Sequence, residues 1–130
     1  MNVKIDTKEK FTVITPEIQQ LSANMTGDMD NMLLPYLQKE VKHIVFNMSE
    51  ITDMDEIAGE KLATIQQKFY ENNCSFVICN IHANVEAKLD QMELLEVMNV
   101  IPSESEAWDI LQMEEIEREL LDDEDDQKND

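Results

Sequence analysis

The sequence predicts an α/β fold: a mixed β-sheet, made of an N-terminal hairpin and a parallel β-α-β-α-β-α unit, with about four helices and an acidic C-terminal extension. From residue 43 onward, short apolar segments alternate with segments whose apolar residues recur at helical spacing. Such alternation is typical of parallel strands joined by right-handed helical crossovers. Two segments rich in β-branched residues precede this unit, and the length of 130 residues fits a single domain.

The N-terminal segment predicts a β-hairpin followed by an interrupted helix. Residues 3–6 and 11–15 are the two strand candidates, and Pro16 ends the second. A helix is expected after Ser22, which is a suitable N-cap. Pro35 should bend or divide this helix, because proline removes a backbone donor. The residues on its apolar face are Met25, Met29, Met32, Leu33, Tyr36 and Leu37.

The remaining elements follow in the order that a parallel sheet requires. Residues 44–48 and 75–81 are largely apolar without alternation, as expected of strands that are covered on both faces. Between them a helix is predicted over residues 56–71, and a third helix follows the second of these strands. Residues 97–101 give a short last strand. The Ser-x-x-Glu sequence at 103–106 is a capping box that opens the last helix.

The formal net charge of −19 excludes several classes of partner. A nucleic-acid backbone or an anionic membrane is bound by clustered lysines and arginines, whereas this chain has 10 basic and 29 acidic residues. Residues 122–130 contain no apolar side chain, so we expect a disordered acidic tail. No apolar run reaches the ~18 residues of a membrane span, and no signal peptide is visible, so we expect a cytoplasmic protein.

The stretch 42–62 is the most informative about function. A short apolar strand leads into a polar turn, and a helical pattern starts with the sequence Asp55-Glu56-Ile57-Ala58-Gly59. This arrangement resembles the signature of the STAS domain, a family that includes bacterial anti-sigma factor antagonists and the tails of sulfate transporters. In that family the strand leads to an Asp-Ser-Ser-Gly-Leu-Gly-like turn, and a Ser beside the Asp is phosphorylated by a partner kinase.

The resemblance covers about residues 1–112. Leu21-Ser22 takes the place of the family's Leu-Asp before its first helix, and residues 77–85 resemble its later strand, small-residue turn and helix. Glu106-Ala107 resembles the Glu-Ala that opens its last helix. The resemblance implies a STAS-like domain over residues 1–112, which is followed by a helical extension at 113–121 and by the acidic tail.

The departures from the family lie at the turn. Asp55 is kept, but Glu56 stands at the position of the phosphorylated Ser. Ile57 replaces the second small hydroxyl residue, and Gly59 is shifted by one place. Phosphorylation at position 56 is therefore impossible. Two interpretations of Glu56 remain open: its charge partly mimics phosphoserine, or it is a favourable acid in the first turn of a helix.

Other candidate chemistry near the turn has weaker support. Four carboxylates are possible ligands for a hard cation, but no calcium-loop pattern surrounds them, so we expect no metal. They belong to Asp53, Asp55, Glu56 and Glu60. His43 and His82 have no paired nucleophile, so we expect no enzyme and no cofactor. Ser49 and Thr52 are alternative phosphoacceptors.

The resemblance implies a non-enzymatic protein–protein interaction module that is similar to an anti-sigma factor antagonist. We expect it to bind an anti-sigma factor or a similar regulator, as a monomer or weak homodimer. The alternative is a STAS domain that senses a small ligand or nucleotide, but the chain has no phosphate-cradling Gly loop. In the first interpretation the partner-binding residues are Asp53, Met54, Asp55, Glu56, Ile57, Gly59 and Glu60.

Overall fold

The computed structural model describes the backbone of residues 1–129 and the side chains of residues 1–121. The strands within this range are β1 (Val3–Thr7), β2 (Phe11–Pro16), β3 (Gln20–Leu21), β4 (His43–Asn47), β5 (Asp53–Met54), β6 (Phe76–Cys79) and β7 (Val100–Ile101). The helices are α1 (Thr26–Leu33), α2 (Glu56–Glu71), α3 (Ala83–Gln91) and α4 (Glu104–Asn129). Residues 122–130 lie outside the range whose side chains are described, and the disorder of this acidic tail stays a prediction.

The main sheet confirms the predicted mixed topology. Its strand order is β1-β2-β4-β6-β7. The hairpin strands β1 and β2 are antiparallel, with Val3 opposite Pro16, and every other neighbouring pair in this sheet is parallel. No helix in the described part of the chain is both long and apolar enough to cross a membrane.

Alternate residues of β4 pack into two separate hydrophobic layers, because successive side chains of a strand point to opposite faces. Ile44 and Phe46 belong to the large core that α1, α2 and α3 cover. Val45 belongs to a smaller core with Ala107 and Leu111 of α4. All three strand residues are fully buried, which confirms that β4 is covered on both faces. The fold is therefore a three-layer sandwich with α4 alone on one side.

The predicted first helix is divided, as Pro35 indicated. Helix α1 ends at Leu33, and a 3-10 turn over Leu34–Gln38 carries Pro35 in its first turn. A second 3-10 turn, Ala23–Met25, precedes α1, and the side chain of Ser22 makes no capping hydrogen bond to it. Ser22 therefore holds the N-cap position of this 3-10 turn without a side-chain cap, and α1 itself begins later, after Met25.

The sequence pattern did not predict β3 and β5, which form a separate two-stranded parallel sheet. Gln20 lies opposite Asp53, and Leu21 lies opposite Met54. A strand of two residues is too short to show an alternating pattern. This small sheet nevertheless connects the chain before α1 to the turn before α2.

His43, at the start of β4, is held in its neutral form. Its Nδ1 accepts a hydrogen bond of 2.9 Å from the backbone N–H of Ser75. Burial lowers the pKa of the His43 imidazole below its usual value of 6.5, and the positive charge of Arg118 lowers it further. Protonation would also remove the acceptor that Ser75 uses.

We expect His43 to make the protein less stable in mild acid. Between the folded pKa and pH 6.5, His43 is protonated in the unfolded chain but not in the folded chain. The free energy of unfolding therefore decreases as pH falls from 6.5 through the folded pKa. The His43→Gln variant lacks this contribution. Urea denaturation at pH 7.5, 6.5 and 5.5 should therefore show that the stability advantage of the wild type over His43→Gln shrinks as pH falls. A difference that stays constant would contradict the prediction.

Candidate functional site

The predicted turn lies between β4 and α2, and backbone hydrogen bonds fix it to the chain before α1. The N–H of Thr52 donates to the carbonyl of Gln19 at 2.8 Å. The N–H of Asp55 donates to the carbonyl of Leu21 at 3.1 Å. Since these bonds lie on both sides of the β3–β5 pairing, the whole segment that leads into α2 has a defined backbone.

The carboxylate of Asp55 caps two helical segments at once. Its Oδ1 accepts a hydrogen bond of 2.9 Å from the N–H of Ala58, which is the N-cap bond of α2. Its Oδ2 accepts a hydrogen bond of 2.7 Å from the N–H of Ala23, at the start of the first 3-10 turn. Both oxygens of Asp55 are thus used within the domain, so this residue positions the turn.

The seven predicted partner-binding residues divide into an exposed set and a supporting set. The side chains of Asp53, Glu56, Ile57 and Glu60 are exposed. Ile57 is 58% exposed, in the first turn of a helix whose opposite face forms the core. We call these four residues the turn surface.

Met54 and Gly59 lie buried beneath the turn surface, so they can support it, and their partner-binding role stays a prediction. Met54 is only 1% exposed, because β5 directs it into the core. A Cβ on Gly59 would lie 3.1 Å from Met54 Cε and 3.3 Å from the thioether of Met92. The absence of a side chain at Gly59 therefore lets both methionines pack against the start of α2.

A shallow groove of ≈ 290 Å³ borders the turn surface, and sequence reasoning missed it. Glu56 and Glu60 line one side. The other side consists of Gln91, the last residue of α3, and of Met92 and Leu94, which follow it. Met92 follows Val85 and Leu89 at helical spacing, and this pattern by itself predicts only a core residue. The approach of these residues to α2 depends on packing between the two helices, which leaves no local signal in the sequence.

A hydrogen-bond network under the turn includes the imidazole of His82 and the backbone of Ser49, but not the Ser49 hydroxyl. Asn47 Oδ1 accepts from the N–H of Ser49 at 2.9 Å, and Asn47 Nδ2 donates to Glu104 Oε1 at 2.7 Å. His82 Nε2 lies 2.6 Å from the carbonyl oxygen of Ser49, which gives this nitrogen a donor role. Among the described residues, no group of three or more His, Cys, Asp or Glu side chains is arranged to hold a metal ion.

The turn and its supporting fold match one protein family. The family model described as the STAS domain matches residues 2–107. No curated protein matches the chain.

Solved structures with a similar fold include the following three. An anti-sigma factor antagonist (STAS) domain protein from Planctomyces limnophilus is 16% identical, with 85% of this chain and 97% of that chain covered and a TM-score of 0.72. RsbS from Moorella thermoacetica, in a Ser-to-Glu variant, is 21% identical, with 86% of this chain and 96% of that chain covered and a TM-score of 0.71. The unphosphorylated anti-sigma factor antagonist SpoIIAA is 15% identical, with 85% of this chain and 96% of that chain covered and a TM-score of 0.67. At these identities the likeness establishes the fold.

We expect Asp55→Ala to destabilise the domain by about 1–3 kcal/mol, because it removes an N-cap and leaves the N–H of Ala23 without its acceptor. Asp53→Ala is the matched control. The Asp53 carboxylate is exposed, and it accepts only from the adjacent N–H of Met54, so its loss should cost less than about 0.5 kcal/mol. Urea denaturation of both variants measures the difference. Equal stabilities would show that the double cap does not hold the turn.

Proposed function

We propose that this chain, which belongs to the STAS domain family, is a non-enzymatic module that regulates a protein partner by docking through the turn at residues 53–60. It would act in the manner of an anti-sigma factor antagonist, but without the serine phospho-switch. The observation that carries the proposal is the turn surface itself. One exposed isoleucine stands among three exposed carboxylates at the fixed start of a helix.

The fixed backbone beneath the turn surface supports a role in binding. The N-cap bond of Asp55 and the pairing of β3 with β5 hold the first turn of α2 before any partner arrives. Binding to such a preorganised surface costs less conformational entropy than binding to a flexible loop. A rigid scaffold that presents a few exposed side chains is also the usual arrangement of an interaction site.

The chemistry of the turn surface defines the kind of partner that fits it. Ile57 requires an apolar pocket, since its exposed side chain gains free energy only where water is displaced from it. Asp53, Glu56 and Glu60 surround it and require lysine or arginine side chains on the partner. Opposite charges arranged in this way steer association and fix the orientation of the complex.

Glu56 is suited to be a direct contact. It lies in the first turn of α2 and is exposed, and no described side chain forms a hydrogen bond or an ion pair with it. Its charge is therefore available to a partner. The permanent carboxylate also gives the partner a constant signal at the position where the family resemblance places a reversible phosphate.

The groove beside the turn supports the small-ligand alternative less well than it supports a protein partner. Two carboxylates, Glu56 and Glu60, line it together with Gln91, Met92 and Leu94. Like charges repel the phosphates of a nucleotide, and the groove offers no lysine or arginine to offset them. A protein partner therefore explains the turn surface better than a nucleotide does.

Affinity capture tests the proposed function. We expect the wild-type chain, immobilised and exposed to native lysate from the organism of origin, to retain a partner that Ile57→Arg loses by at least about tenfold. Thr64→Arg is the matched control, since Thr64 is exposed on the same face of α2 two turns later. Quantitative mass spectrometry compares the three samples. Retention of the same proteins in equal amounts by all three would reject the turn surface as the docking site.

The Glu56→Ser variant distinguishes the two interpretations of Glu56. As a direct contact with a partner cation, Glu56 should contribute to affinity, and its loss should weaken binding to the captured partner by about 2 kcal/mol or more. Glu71→Ser is the control, because it removes the same charge from the exposed last turn of the same helix. Isothermal titration calorimetry gives both affinities. Tighter binding of Glu56→Ser would contradict the contact role and indicate that the carboxylate mimics a phosphorylated, partner-released state.

A further inference from the structure

Helix α4 uses one face to pack against the domain. Ala107 and Leu111 are buried in the smaller core. Glu114 accepts a hydrogen bond of 2.9 Å from the hydroxyl of Tyr70, and Arg118 Nη2 donates to Ser75 Oγ at 3.0 Å. These residues follow one another at helical spacing of three or four, so they lie on a single side of α4.

The opposite face of α4 carries an unpartnered apolar stripe. Met113, Ile116 and Leu120 are 56%, 56% and 59% exposed. Their spacing of i, i+3 and i+7 places them in one row, turned away from the residues that contact the domain. We call these three residues the α4 stripe. Single exposed apolar residues are common on soluble proteins, whereas a row at this spacing is the pattern by which one helix packs on another.

The negative charge of the chain determines which partner fits the α4 stripe. Residues 114–130 hold ten acidic and two basic residues, a net charge of −8. A second copy of this chain would bring the same charge to the contact, and the whole chain carries −19. Like charges across an interface oppose association, whereas opposite charges favour it. The stripe therefore suits a basic partner and disfavours self-association.

We propose that the α4 stripe docks an amphipathic helix of a partner protein whose apolar face is bordered by lysine and arginine. This surface is distinct from the turn surface, because α4 covers the face of the sheet opposite to α2. The two surfaces are therefore open to different proteins at the same time. Substitutions that disrupt one of these two surfaces therefore leave the other surface intact.

A synthetic peptide of leucine and lysine, about 18 residues or five helical turns long, serves as the probe. Its leucines share one helical face, and a scrambled peptide with the same composition has no such face. The full chain is compared with an Ile116→Gln/Leu120→Gln variant. An Ile5→Gln/Val97→Gln variant is the matched control, since Ile5 and Val97 are 51% and 75% exposed and lie outside α4.

Fluorescence anisotropy at about 0.15 M salt, where the Debye length is ~8 Å, gives the dissociation constants. We expect the stripe variant to bind the amphipathic peptide at least about tenfold more weakly than the wild type. The matched control should bind like the wild type, and the scrambled peptide should bind about tenfold more weakly than the amphipathic one. Circular dichroism confirms that both variants are folded.

Three results would overturn the proposal. Equal binding by the wild type and the stripe variant would show that charge alone attracts the peptide. If the amphipathic peptide does not bind the wild type, a basic helix is not the partner of the α4 stripe. A dimer in sedimentation equilibrium that the Ile116→Gln/Leu120→Gln variant abolishes would show that a second copy covers the stripe.

Discussion

The two hydrogen bonds that the Asp55 carboxylate accepts are the interaction on which the arrangement of the turn before α2 depends. Its two oxygens accept from Ala58 and from Ala23, residues that are 35 positions apart in the sequence. One side chain therefore fixes the start of α2 and the start of the segment that leads into α1. Each bond satisfies a backbone donor that a helical start would otherwise leave unpaired. The resemblance to the STAS family retains an Asp at this position, and the structure gives a physical reason for it.

The backbone that Asp55 fixes holds the exposed residues around it in place. Met54 and Gly59 provide the support below, since the missing side chain of Gly59 lets Met54 and Met92 pack closely. Glu56 and Ile57 are left on the outside. A change at either exposed residue should alter recognition with little effect on the core, whereas a change at Asp55 should alter both.

The three-layer arrangement separates two surfaces with different chemistry. On one side of the sheet, the turn surface presents one isoleucine at the start of α2. On the other side, α4 contacts the domain through Ala107 and Leu111 and directs an apolar row outward. Because the sheet lies between them, a partner on one surface leaves the other accessible. The high negative charge of the chain is the reason for proposing basic partners at both surfaces.

The sequence by itself determined the elements that carry strong local patterns. The bounds of α2 were predicted at residues 56–71, because apolar residues recur at helical spacing from Asp55 onward. The buried central strands were predicted from continuous apolar runs, and the division of the first helix from Pro35. The choice of Glu56 and Ile57 as candidate partner-binding residues came from the family resemblance.

Only the tertiary structure decided how distant segments meet. The pairing of β3 with β5 joins residues 20–21 to residues 53–54, and strands of two residues are too short to show a period. The second hydrogen bond of Asp55, the burial of Met54 and the outward face of α4 all depend on which surfaces pack together. Long-range packing makes no local pattern in the chain, so these features could not be predicted from the order of residues.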